Sequence, residues 1–161
     1  MCNPTKWIRL VPLKVMVFVW HACIDRIPSA VALSRRGISL PSIACQIFIS
    51  GIDEADHFLV GCPFAKDVLA WIFNRCNLPF QQFDSVGELI LYAASLGNCP
   101  KKRKILLAIF YGYLWYIWRA RSDIVFNKTH ISTSKLEDII LSTVFSWIKN
   151  RGSFENCNWV N

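Results

Sequence analysis

Apolar positions along this chain fall into runs with helical spacing, separated by short stretches rich in polar residues, proline or glycine. Residues 1–13 read as an extended lead-in around Pro12. Lys14–Arg26 is apolar on most faces and predicts a buried helix, although its valines also suit a strand. Ser29 after Pro28 is a candidate N-cap for a short second helix. Gly37 after Arg35 and Arg36 is a candidate for the residue that ends it. Ile38–Asp56, with a proline, a glycine and short β-branched runs, reads as loop in which a short β-hairpin is one option. Pro63 opens a helix with apolar residues at Phe64, Val68, Leu69, Trp71 and Ile72. Three more helices follow, over Ser85–Gly97, about Lys101–Phe126, and Ser132–Asn150, with Ser134 and Glu137 in capping-box spacing. The last two are joined by a few residues, which predicts an antiparallel pair. The tail from Arg151 reads as irregular. The fold class is therefore mostly α, a helical domain with one irregular insertion between the second and third helices.

Composition changes this picture little. The 161 residues suggest one domain. At 53% hydrophobic and 18% charged, the chain has the material for a core and is not of the disordered class. One segment resembles a membrane span, the uncharged Ile105–Trp118. Its 14 residues fall short of the roughly 20 a bilayer requires, so it reads as a core helix and no membrane partner is expected.

Seven cysteines, at 2, 23, 45, 62, 76, 99 and 157, are odd in number and irregular in spacing. The opening stretch lacks a continuous apolar core and a small-residue cleavage site. Free thiols in a reducing, intracellular setting are the expectation, with nucleus and cytoplasm both open. Within this set, Cys45, His57 and Cys62 form a C-x11-H-x4-C series. Thiolate and imidazole are the ligands zinc prefers, and a structural site wants four of them. Cys62 would stand at the N-terminus of the helix opened by Pro63, where the dipole favours thiolate. Three ligands without a C-x-x-C pair are a weak signal, and two buried cysteines with a surface histidine are the plainer account of them.

The motifs around this series add to it. Val11-Pro12, Lys14-Val15, Phe18, Trp20, Arg26-Ile27-Pro28, Leu33, Arg36-Gly37, Cys45, His57-Phe58 and Cys62 occur in an order that resembles the reverse transcriptase zinc-binding domain of plant LINE-type (non-LTR) retrotransposons, with Glu54 near that family's glutamate. The likeness extends to the C-terminal Trp115–Asn127 and Ser146–Arg151 stretches. It implies a Cys-Cys-His-Cys zinc knuckle, of which this chain carries Cys45, His57 and Cys62. Phe48 stands where the family has its second cysteine, and Ser29 where it has threonine. The resemblance thus implies zinc as cofactor in a weakened site, with Asp56, Glu54, Cys76 or water as substitutes for the missing ligand. It also implies a reverse transcriptase core as neighbour in a parent polyprotein. Residues 1–80 would be the zinc-binding-like module and 81–161 a helical extension packed on it.

No pair of acidic residues suited to two catalytic metal ions is evident, nor a P-loop, a dinucleotide fingerprint or a nucleophile elbow. The expectation is a non-catalytic accessory module. A net charge of +7 is compatible with RNA or DNA as partner, with Arg35, Arg36, Lys101, Lys102, Arg103 and Lys104 as candidate phosphate contacts. The plainer reading of these clusters is a helix end and a solvated linker. Trp7, Trp20, Trp71, Trp115, Trp118 and Trp147 have faces for base stacking, but five lie on expected helices, where core packing takes precedence. Two rival readings remain: a helical protein–protein docking domain, suggested by the apolar 105–118 segment, and an inactive element remnant.

Overall fold

The computed structural model describes residues 4–152. Cys2, Cys157 and nearly all of the tail expected to be irregular lie outside them. Within them the chain is helical, with no strand: α1 (Leu13–Cys23), α2 (Ala30–Arg35), a π-helical turn (His57–Gly61), α3 (Pro63–Arg75), α4 (Val86–Ser95), α5 (Pro100–Asn127) and α6 (Thr133–Arg151). The expected hairpin is reduced to a single antiparallel bridge, Ala44 to Ile52. It is flanked by Cys45 N–H donating to Gly51 O (3.1 Å) and Asp53 N–H to Ile43 O (2.7 Å).

The caps explain most of the boundaries. Ser29, Ser85 and Ser132 each accept a backbone N–H from the first turn of the helix they precede. At α6 this corrects the sequence reading. Ser132, not Ser134, is the cap, its Oγ accepting from Lys135 N at 3.3 Å. Thr133 and Ser134 are already helical, so the Ser134–Glu137 spacing lies two residues inside the helix it was expected to open. Helices α1, α2 and α3 end alike. A residue in the left-handed region (Asp25, Gly37, Asn77) turns the chain, and the next N–H returns to a carbonyl of the last turn. This stops α1 at Cys23, three residues before the expected end.

Helix α5 organises the rest. It packs against α6, α4, α1 and the π-helical turn, while α3 packs on α6. Nine residues of the 105–118 segment are buried, among them Phe110, Tyr111, Tyr113, Leu114 and Ile117, and the other five are half-buried. The segment is therefore core, as expected, and the observation that motivated a docking domain is gone. Among the described residues no helix is long and apolar enough to cross a membrane. Two tyrosines on α5 tie it to the N-terminal half. The Tyr111 hydroxyl bonds both Lys6 N and Lys6 O at 2.9 Å. The buried Tyr113 hydroxyl lies 2.6 Å from Leu59 O and 3.1 Å from Ala65 O, across the junction of the π-helical turn and α3. Burial pushes the Tyr111 phenol up to about 12 and that of Tyr113 well above its ordinary value. The tryptophans divide. Those on α3, α5 and α6 are half-buried against the core, but Trp7 and Trp20 are exposed, so Trp20 departs from the expected packing.

The α5–α6 pair is antiparallel: Gly112 faces Val144 and Trp147, while Tyr116, one turn later, bonds Thr143. A Cβ on Gly112 would lie 2.7 Å from Val144 Cγ2. Val144 is buried and β-branched, hence slow to give way. Gly112→Ala is expected to lower stability by about 1 kcal/mol net. Overpacking of about 1–3 kcal/mol outweighs the roughly 1 kcal/mol gained in helix propensity. A denaturation midpoint at or above that of the unaltered chain would show that α6 moves off freely.

Candidate metal centre and the ion pair beside it

Cys45 and Cys62 enter the site from opposite ends of the irregular stretch, and both are fully buried. Cys45 follows the bridge residue Ala44, and the backbone amides of Phe48 and Ile47 lie near enough to its sulfur to favour the thiolate. Cys62 is the N-cap of α3, its sulfur accepting from Ala65 N at 3.4 Å. Its own N–H closes the π-helical turn on His57 O (2.6 Å). The two thiols lie near enough for a thiol–thiolate hydrogen bond to couple their titration, and the Cys62 sulfur is also 3.8 Å from Phe58 O. That bond lowers the Cys45 pKa, with help from the Phe48 and Ile47 amides and against burial. The same bond, with burial, pushes the Cys62 thiol up. The pair titrates as a unit: one proton leaves readily, and the second must leave a buried neighbour of a thiolate.

His57 opens the π-helical turn, and its ring occupies the space above Gly51. A Cβ there would lie 2.6 Å from Cε1 and 2.9 Å from Nε2. Gly51 also has φ +82°, so glycine is required twice over. His57 Nε2 is buried without a hydrogen-bond partner. A buried imidazole nitrogen left this way is what a metal bond would satisfy. The rest of the donor set does not complete the arrangement. Among the described residues no three His, Cys, Asp or Glu side chains are grouped so as to hold one ion. Phe48 offers no donor, and its side chain stands half exposed. Of the substitutes considered, the Asp56 carboxylate is taken by Val86 N–H at 2.9 Å. These residues do not fit a closed four-ligand zinc site.

Sequence reading missed the most buried charges among the described residues. Asp53, one residue past the bridge, accepts from Ala30 N at the start of α2 (2.8 Å), and Val31 N–H donates to its backbone carbonyl (3.1 Å). Its carboxylate is held by Arg121 of α5 through Nε (3.2 Å) and a second, shorter contact from the terminal nitrogen. Both side chains are at most 4% exposed. The guanidinium lies 5.4 Å from the Phe58 ring centre and 5.3 Å from that of Trp118. One ion pair thus fixes the loop carrying Cys45 to both α2 and α5. The available signal was a lone arginine inside the apolar face of a long helix.

The basic candidates lie apart. Arg35 is exposed and paired with the exposed Asp25 at 3.4 Å, and Arg36 follows as C-cap of α2. Lys101–Lys104 form the first turn of α5, where Cys99 is the N-cap and no acidic residue occurs. Arg103 also reaches back to Leu96 O and Gly97 O, both at 3.4 Å.

No curated protein and no solved structure matches this chain. Residues 2–71, a span holding Cys45, His57 and Cys62 but under half of the chain, match the model of a protein family described as zinc-binding in reverse transcriptase.

Proposed function

We propose that this protein is a non-catalytic, zinc-binding-type accessory module of a LINE-type retrotransposon reverse transcriptase, associated with RNA or DNA, in which the metal site has degenerated. The observation carrying this reading is the proximity of Cys45 and Cys62, with the His57 Nε2 left buried and without a hydrogen-bond partner, inside the span that matches the zinc-binding family. With Phe48 in place of a ligand, Cys45, His57 and Cys62 hold zinc weakly at most. Residues 1–80 are the module and 81–161 its helical extension.

The nucleic-acid half of the reading is supported by the start of α5. Lys101, Lys102, Arg103 and Lys104 sit at the positive end of a 28-residue helix with no acidic residue in its first turn. Four cations there oppose the macrodipole, an arrangement that an anion relieves. Single-stranded RNA is expected to bind the full chain and to lose affinity as salt rises. The slope should fall by about one unit of log K per log salt for each phosphate contact removed. Lys102→Glu with Lys104→Glu should flatten it accordingly. Equal, negligible binding at low and high salt would remove nucleic acid from the proposal.

A further inference from the structure

A cavity of about 380 Å3 opens between the α2 end of the molecule and the last turn of α5. That is within the usual range for a small-ligand site. Leu33, Leu40 and Pro41 line it from α2 and the loop beyond, Val125 and Phe126 from α5. Asp53 and Arg121 also line it, and Lys128 closes the list of charged residues there.

The charges in this cavity are graded. Arg121 and Asp53 neutralise each other, and the pair is at most 4% exposed. A guanidinium has five N–H groups, and Asp53 takes one from Nε and one from a terminal nitrogen, leaving donors for a further acceptor. An anion entering here would meet the Asp53 carboxylate beside a cation already compensated. A neutral group with carbonyl acceptors would not. Lys128 differs. It is exposed, held in the left-handed region at φ 53°, and its Nζ donates only to Val125 O (3.3 Å). No carboxylate lies against it among the described ion pairs. The matching ligand has an apolar face for the walls, neutral acceptors at its inner end and negative charge at its outer end. A nucleotide has that order: base, sugar, phosphate. Arg36, exposed at the end of α2, is placed on the element that forms one wall and is available to a neighbouring phosphate.

We infer that this cavity takes one unpaired nucleotide of a single strand, with the base against the Asp53–Arg121 pair and its phosphate at Lys128. The inference rests on the nucleic-acid reading above and gives it a site. Lys101 and Lys128 are separated by nearly the whole of α5, about 40 Å along its axis. The cavity and the Lys101–Lys104 cluster are therefore separate contacts.

Fluorescence anisotropy of the full chain with a short labelled oligouridylate tests it, against the same strand with abasic positions and against a duplex. The intact strand should bind about tenfold more tightly than the abasic strand. Ser42→Trp, an exposed position on the cavity lining, should abolish that difference. Lys128→Glu should weaken both strands. Equal affinity for intact and abasic strands in the unaltered chain overturns the pocket, as does a difference that survives Ser42→Trp in a folded variant. In either case salt-dependent binding sensitive to Lys102→Glu and Lys104→Glu would leave the general reading standing. No binding of any strand at low salt removes both.

Discussion

Replacing Arg121 with methionine will cost the fold about 3–5 kcal/mol, the loss expected when one partner of a buried ion pair is removed. Methionine fills much of the space between the Phe58 and Trp118 rings, so the loss is not mainly one of packing. It arises because Asp53, 1% exposed, keeps a charge with only the Ala30 N–H to stabilise it. Water must then reach the carboxylate, or the loop must move, and the loop carries Cys45 and holds the start of α2. Replacing both partners, Asp53→Leu with Arg121→Met, should recover most of the loss, since an apolar pair has no stranded charge. The remainder should be about 1 kcal/mol, the cap on Ala30 that Asp53 supplied. Urea denaturation of the single and double variants measures this. A single-variant loss under about 1 kcal/mol, or a double variant worse than the single, would mean that the pair is not what holds the loop.

That pair also marks the limit of what could be read from the sequence. Helix existence was legible because period and caps agree. Pro63 and the spacing of Val68, Leu69 and Ile72 placed α3, and the buried 105–118 segment was too short to be anything but core. Termination was legible at Gly37 and Gly97, glycines at positive φ just past α2 and α4. At α1 and α3 the left-handed residues are Asp25 and Asn77, whose sequence signal is faint. The hairpin shrank to one bridge because Asp53 and Cys45, on either side of it, are held by partners beyond the hairpin, Asp53 by Ala30 and Arg121 and Cys45 by Cys62. Within the site, Cys45 and Cys62 were placed by motif and they do meet. The π-helical turn that brings His57 above Gly51 has no periodicity to detect, since it is a single turn of i→i+5 bonding closed by Cys62 N–H on His57 O. Asp53 and Arg121 are 68 positions apart, and nothing local connects them.

The Phe48→Cys variant should bind zinc more than about 100-fold more tightly than the unaltered chain, because a fourth ligand converts an open donor set into a closed tetrahedral one. The backbone at position 48 is already near the site, since its amide helps to lower the Cys45 pKa. The exposed phenylalanine side chain is lost from the surface, not from the core, so the substitution leaves no cavity. Two of the other three donors are in mutual contact, and His57 Nε2 lacks any competing hydrogen bond that zinc would have to break. Binding must displace the thiol protons, and the raised Cys62 thiol makes that displacement costly in the unaltered chain. Zinc competition against a chromophoric chelator would read the gain. Cobalt substitution would show a tetrahedral spectrum in the variant and none of comparable intensity in the unaltered chain. Cys62→Ala placed on Phe48→Cys should abolish the gain. Equal zinc affinity with cysteine or phenylalanine at position 48 would mean that His57 does not turn toward the sulfurs. The motif would then survive in the sequence without a metal site in the fold.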